Sequence, residues 1–166
     1  MTATASVKPV VTKTRATWRG EHRFEAGPEG RTAAVDADSK AAPGPVETLL
    51  NAVATCSGVD VLDILAKRRT PVERFVVDVM ATRRPEAPRR VERLEIVFTI
   101  DGAGIDAADA ERAIQLSFEK YCTVVSSLAP DIVAETTLVL NGERHPPRRR
   151  QIWTPGTDSE GTAPYT

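Results

Sequence analysis

Between Pro45 and Arg69 the chain carries a long apolar stretch at helical spacing, and this stretch limits the available folds more than any other feature. Val46, Leu49, Leu50, Val53, Ser57, Val61 and Ile64 recur as one helix face would. Ala52, Ala54, Val59, Leu62 and Leu65 fill much of the remaining circumference. A helix with so little polar surface is buried on more than one side. Ala42-Pro-Gly-Pro45 suits its entry, because proline is tolerated in a first helical turn. Lys67-Arg68-Arg69 suits its end, where cations meet the negative pole of the helix.

Short strand-like pieces precede this helix: Thr12 to Trp18, His22 to Ala26 and Arg31 to Val35, separated by Arg19-Gly-Glu21 and by Gly27-Pro-Glu-Gly30. After it, Phe75, Val77, Val79 and Ala81 alternate with polar residues. So do Leu94, Ile96, Phe98 and Ile100. The pattern predicts an antiparallel hairpin with one wet face. Asp106 is a natural N-cap for a second helix. Its apolar positions run from Ala110 to Leu128, and Pro130 ends it. Ile132 to Leu140 reads as a last strand, closed by Asn141-Gly142. The order predicts an α+β fold in which antiparallel strands are backed by two helices. Residues 1–12 read as a flexible arm, 13–142 as the folded domain, and 143–166 as a flexible Pro/Arg-rich tail. In that tail Arg148-Arg-Arg150 reads as a solvated charge run.

Several function classes lose support from the same text. A net charge of −1 argues against a general nucleic-acid binder. No run approaches the roughly 18 apolar residues of a membrane span. The start lacks the basic and apolar regions of a secretory signal, so a cytoplasmic location is expected. The two histidines, His22 and His145, flank turns or tail, and Cys-x-x-Cys and His-Glu-x-x-His are missing, so no metal is expected. Neither glycine cluster has a nucleotide-loop spacing, and no cofactor is expected.

What remains is a pair of thiols, Cys56 in the long helix and Cys122 in Glu119-Lys-Tyr-Cys122-Thr-Val. A thiolate attacks a peroxide oxygen to give a sulfenic acid, which a second thiol converts to a disulfide. Small neighbours (Ala54, Ser57, Gly58) leave space beside Cys56 and make it the better peroxidatic candidate, with Cys122 the resolving partner. Buried cysteines also commonly serve as packing, and the residues alone leave packing, redox and metal ligation open. Asp60 and Asp63 lie on the Cys56 side of the helix within about a turn, and read as solvated helix charges.

Pro45-x-Glu47-Thr-Leu-Leu-x-Ala-x-Ala-x-Cys56-Ser, the strand pair, and Lys120-Tyr-Cys122-Thr-Val together resemble the OsmC/Ohr family, the osmotically inducible and organic-hydroperoxide-resistance proteins. The likeness spans about residues 13–142 and points to a less characterised OsmC-like branch. It implies an intertwined α+β homodimer with a curved antiparallel sheet and two central helices. It also implies peroxiredoxin-like reduction of small organic hydroperoxides in oxidative-stress defence, with recycling by a dithiol such as a lipoyl group. By motif, Cys56 matches the peroxidatic and Cys122 the resolving cysteine. Active groups place a glutamate directly after the entry proline and use an arginine to hold the thiolate. Here Val46 takes that glutamate's place and Glu47 follows one residue later, about 100° around the helix. Arg31, Arg83 and Arg23 are the candidate arginines. The alternative is a dimeric OsmC-like binding or redox-sensing protein with an apolar pocket and no peroxidase activity.

Overall fold

Alternating and helical patterns settle into twelve short elements in a computed structural model that describes residues 9–152. The chain divides between Thr48 and Leu49 into two compact units.

The first unit is a three-stranded antiparallel meander of β1 (Arg15–Trp18), β2 (Arg23–Gly27) and β3 (Ala33–Asp36). These are the three expected strands with their ends slightly shifted. At the end of β3 the buried Asp36 carboxylate accepts backbone N–H bonds from Ala41, Asp38 and Lys40. Those bonds hold its carboxyl below the usual range and shape the turn leading to the long helix.

That helix, α1, runs Pro45–Lys67 as expected. Glu47 closes its first turn, its Oε2 accepting from Gly44 N at 2.7 Å, half of a capping box. Its core-facing stripe is Val53, Ser57, Gly58, Val61 and Leu65. By length and composition α1 is apolar enough to cross a membrane, with a mean hydropathy of 1.5 over its best window. This corrects the expectation that no run approaches a span: Thr55, Ser57, Asp60 and Asp63 punctuate the stretch, but its average over 18 residues is still apolar. One stripe of the helix is buried against the sheet, while only 28% of that window is buried in all.

In the second unit β4 (Arg74–Arg83) and β5 (Val91–Asp101) form the predicted antiparallel hairpin. Leu94, Ile96, Phe98 and Ile100 of β5 are fully buried in alternation, and Gly58 lets β4 approach α1 closely. One strand pair departs from the antiparallel expectation. β6 (Val133–Leu140) lies parallel to β5, because a helical crossover carries the chain back before it re-enters the sheet.

That crossover is not the single helix expected. α2 (Ala107–Leu116) is capped by Asp106, whose Oδ1 accepts from Ala108 N at 2.8 Å. A π turn at Ser117–Tyr121 follows, then the short α3 (Thr123–Ser126). Apolar spacing carries through such a break, so periodicity alone reads it as continuous.

The sheet also outlasts its expected end at 142. β7 (Glu143–Arg144) and β8 (Arg148–Arg150) both pair antiparallel with β6. Arg150 donates through Nε to Thr136 Oγ1 and through Nη2 to Glu111 Oε2, both at 2.7 Å. Arg148 reaches the same carboxylate at 3.3 Å. Part of the supposed solvated run is therefore an anchor whose counter-charge sits on α2, remote in sequence. Ile152 is buried behind it. Residues 1–8 of the expected arm and 153–166 of the expected tail lie outside the described residues.

Candidate functional site

The site is assembled from α1 and from the break after α2. Cys56 lies mid-helix on α1 and is half-buried, next to the core stripe. Asp60 follows four residues later, which places it on the same side of the helix one turn on.

Opposite, the π turn sets the second thiol. Cys122 N donates to Ser117 O at 2.8 Å, the i to i−5 bond that defines such a turn. The backbone then leaves helical geometry at Cys122 (φ −71°, ψ 99°), and its Sγ accepts from Val125 N at 3.4 Å, capping α3. The residue is only 2% exposed. Ser117, fully buried, donates its Oγ to Asp60 Oδ2 at 2.8 Å and ties the two halves together. The Cys56 and Cys122 sulfurs and an Asp60 carboxylate oxygen all lie within 4.8 Å of one another. Cysteines far apart in sequence thus meet, at a separation a side-chain rotation can close.

The electrostatics distinguish the partners. Burial pushes the Cys122 thiol up to about 12, against the Val125 N–H and reinforced by Cys56 and Asp60. Cys122 therefore holds its proton at neutral pH. Burial also raises the Asp60 carboxyl above the usual range, with Ser117 opposing and Asp63 adding to the rise. Two thiols and a carboxylate are donors that suit Zn²⁺, and this is the one cluster of three such groups among the described residues. A thiol must lose its proton to ligate, and the raised Cys122 works against that.

The supporting candidates stand elsewhere. Besides its bond to Gly44, Glu47 hydrogen-bonds Ser39, and the two together lower its carboxyl. Arg31 is exposed in the β2–β3 turn, its backbone N bonded to Pro28 O, and Arg23 opens β2. Arg83 ends β4 with its Nε donating to Arg89 O at 2.7 Å. Asp60, read as a solvated charge, is instead partly buried and held. Ser117 was missed altogether. In a regular helix, five residues would set it about 140° away from Cys122, and only the π turn brings the two into register.

The fold and the site together define an α+β domain that brings two sequence-remote thiols together at a helix break. Residues 37–137, more than half of the chain, match the OsmC-like protein family, and the chain belongs to it. It is 40% identical over 87 residues to Protein YhfA of Escherichia coli K12, a match covering 52% of this chain and 65% of YhfA. This is less than two thirds of that relative's length. A hypothetical protein from Aquifex aeolicus VF5 superposes with a TM-score of 0.73 at 26% identity, covering 80% of this chain and 97% of that one. An organic hydroperoxide resistance protein OsmC from Legionella pneumophila gives 0.56 at 12% identity over 80% and 98% of the two chains, and so shares the fold.

Proposed function

We propose that this chain is a thiol peroxidase that reduces organic hydroperoxides in oxidative-stress defence. It acts as a cytoplasmic homodimer and is recycled by a dithiol, with lipoyl-type reductants a fitting class. The observation that carries this reading is the approach of a half-buried thiol to a buried, protonated one within 4.8 Å. Cys56, the more accessible, attacks the peroxide as thiolate; the O–O bond breaks, an alcohol leaves, and Cys56 becomes a sulfenic acid. Cys122 then displaces water from that sulfur and a disulfide forms. The external dithiol takes up the oxidation and restores both thiols. Membership of the OsmC-like family and the hydroperoxide-resistance name of the Legionella neighbour support the same chemistry.

One observation favours a second reading, a dimeric binding or redox-sensing protein. Val46 stands where the family resemblance looks for a glutamate, and Glu47 is engaged by Gly44 and Ser39 at its own helix entry. A single test separates the readings. The reduced protein receives one equivalent of cumene hydroperoxide, then an excess with dihydrolipoamide, and free thiols are counted by alkylation and mass spectrometry at each stage. The peroxidase loses both thiols within seconds and regains them with dihydrolipoamide through many turnovers. A protein that keeps its thiols, or turns over once and stops, is the second kind.

A further inference from the structure

We infer that Asp60 carries the proton between the two thiols during disulfide formation, taking it from Cys122 and delivering it to the hydroxyl that leaves Cys56. The inference rests on the thiol-peroxidase reading and assigns a residue to its second step.

That step has a proton problem at each end. Cys122 is buried and keeps its proton at neutral pH, so its sulfur is a poor nucleophile unless a base removes that proton. The sulfenic oxygen on Cys56 leaves poorly as hydroxide unless an acid meets it. A carboxylate within 4.8 Å of both sulfurs serves both needs, through a small rotation or one bridging water. As the S–S bond forms, the S–O bond breaks and its electron pair departs with oxygen. The proton that Asp60 took from Cys122 joins that oxygen, and water leaves. The Cys56 sulfur is reduced from sulfenic acid to disulfide, the Cys122 sulfur is oxidised from thiol to disulfide, and Asp60 ends as the carboxylate it began as.

The surroundings fit this work. Asp60 is fixed one turn from Cys56 on a regular helix, so the two move together. The buried Ser117 hydroxyl donates to Oδ2 and limits the side-chain rotation, and a carboxylate oxygen of Asp60 lies within 4.8 Å of both sulfurs. The groups around the carboxyl are Cys56 and Asp63 on α1, and Ser117 and Cys122 at the two ends of the π turn. Burial, and to a lesser extent Asp63, raise the Asp60 carboxyl above the ordinary aspartate range against the Ser117 hydrogen bond, which makes it a stronger base than a solvated aspartate.

Rapid quench of the full chain after cumene hydroperoxide tests this, with dimedone trapping sulfenic acid and mass spectrometry counting disulfide. In the parent the resolution rate is nearly flat from pH 6.5 to 8.5. In Asp60→Asn, resolution relative to oxidation falls on the order of 100-fold, as loss of a positioned acid–base group does. Sulfenic acid accumulates, and resolution climbs about tenfold per pH unit, because Cys122 must ionise unaided. Ser117→Ala, which keeps the carboxylate but frees its rotation, slows resolution at least threefold and keeps the parental pH profile. It decides the matter if Asp60→Asn does not fold. Resolution within twofold of the parent in Asp60→Asn, or in Ser117→Ala where that variant decides, overturns the inference alone. A parent that never forms sulfenic acid overturns the peroxidase reading and this inference with it.

Discussion

Cys122 ties a single thiol to the stability of the whole second unit. Its ionisation moves from 9.0 to about 12 on folding. Between those values the unfolded chain has released a proton that the native state keeps. Stability is therefore complete below pH 9 and declines above it by about 1.4 kcal/mol per unit until the native thiol ionises. Urea unfolding in reductant should show the parent losing about 2 kcal/mol more than Cys122→Ala between pH 9 and 10.5. Parallel curves would mean the thiol is not held as described. Chemistry should divide at the same scale. Cys56→Ser should consume no hydroperoxide, whereas Cys122→Ser should be oxidised once and then need direct reduction. Equal turnover by both variants would refute the roles. The identity of the two sulfurs was readable from the sequence, since no other residues offered such a nucleophile. The meaning of Asp60 was not, because a carboxylate one turn from a thiol looks solvated until Ser117 is seen against it.

At the level of elements, the close approach at Gly58 and the nearly buried Arg150–Glu111 pair hold β4 and β8 in place. An added Cβ at Gly58 would meet Phe75 Cε1 at 3.1 Å and Val77 Cγ2 at 3.5 Å, two residues from Cys56. Gly58→Val should therefore overpack the α1–β4 contact and cost roughly 1–3 kcal/mol in thermal or urea unfolding. An unchanged midpoint would show that β4 yields without strain. Glu111→Ala leaves Arg150, itself nearly buried, without its counter-charge. A loss on the order of 3 kcal/mol is expected, with trypsin cutting at Arg148–Arg150 as β8 peels from β6. The strands of the hairpin were legible because apolar and polar residues alternate, with the apolar face fully buried in β5 and partly buried in β4. β8 was not, since three arginines look alike whether solvated or paired with a residue on α2. The π turn was hidden for a related reason. Hydrophobic spacing records which residues face the core, and a change of hydrogen-bond partner from i−4 to i−5 leaves that record almost intact.

The whole molecule poses one question that a single chain leaves open, namely what covers α1. Only 28% of its most apolar window is buried, and Val59 remains 56% exposed, with Leu49 at 40%. Met80 on β4 is 58% exposed as well. Apolar area left in water forgoes about 25 cal/mol per Å², so a helix of this composition gains considerably from a partner surface. The family resemblance supplies a candidate in a second copy of the chain, and the sequence pointed the same way through the breadth of the apolar helix face. The expected outcome is a dimer at micromolar concentration by multi-angle light scattering. Val59→Asp would place a charge where the partner's apolar surface is needed, and it should shift the population toward monomer by tenfold or more in dissociation constant, because desolvating an unpaired carboxylate is costly. The two results constrain each other. A dimeric parent with a dimeric Val59→Asp variant would leave α1 outside the interface, and a monomeric parent would mean that the helix tolerates water at Val59 and Leu49. In either case the breadth of an apolar face would have been a poor guide to assembly in this chain.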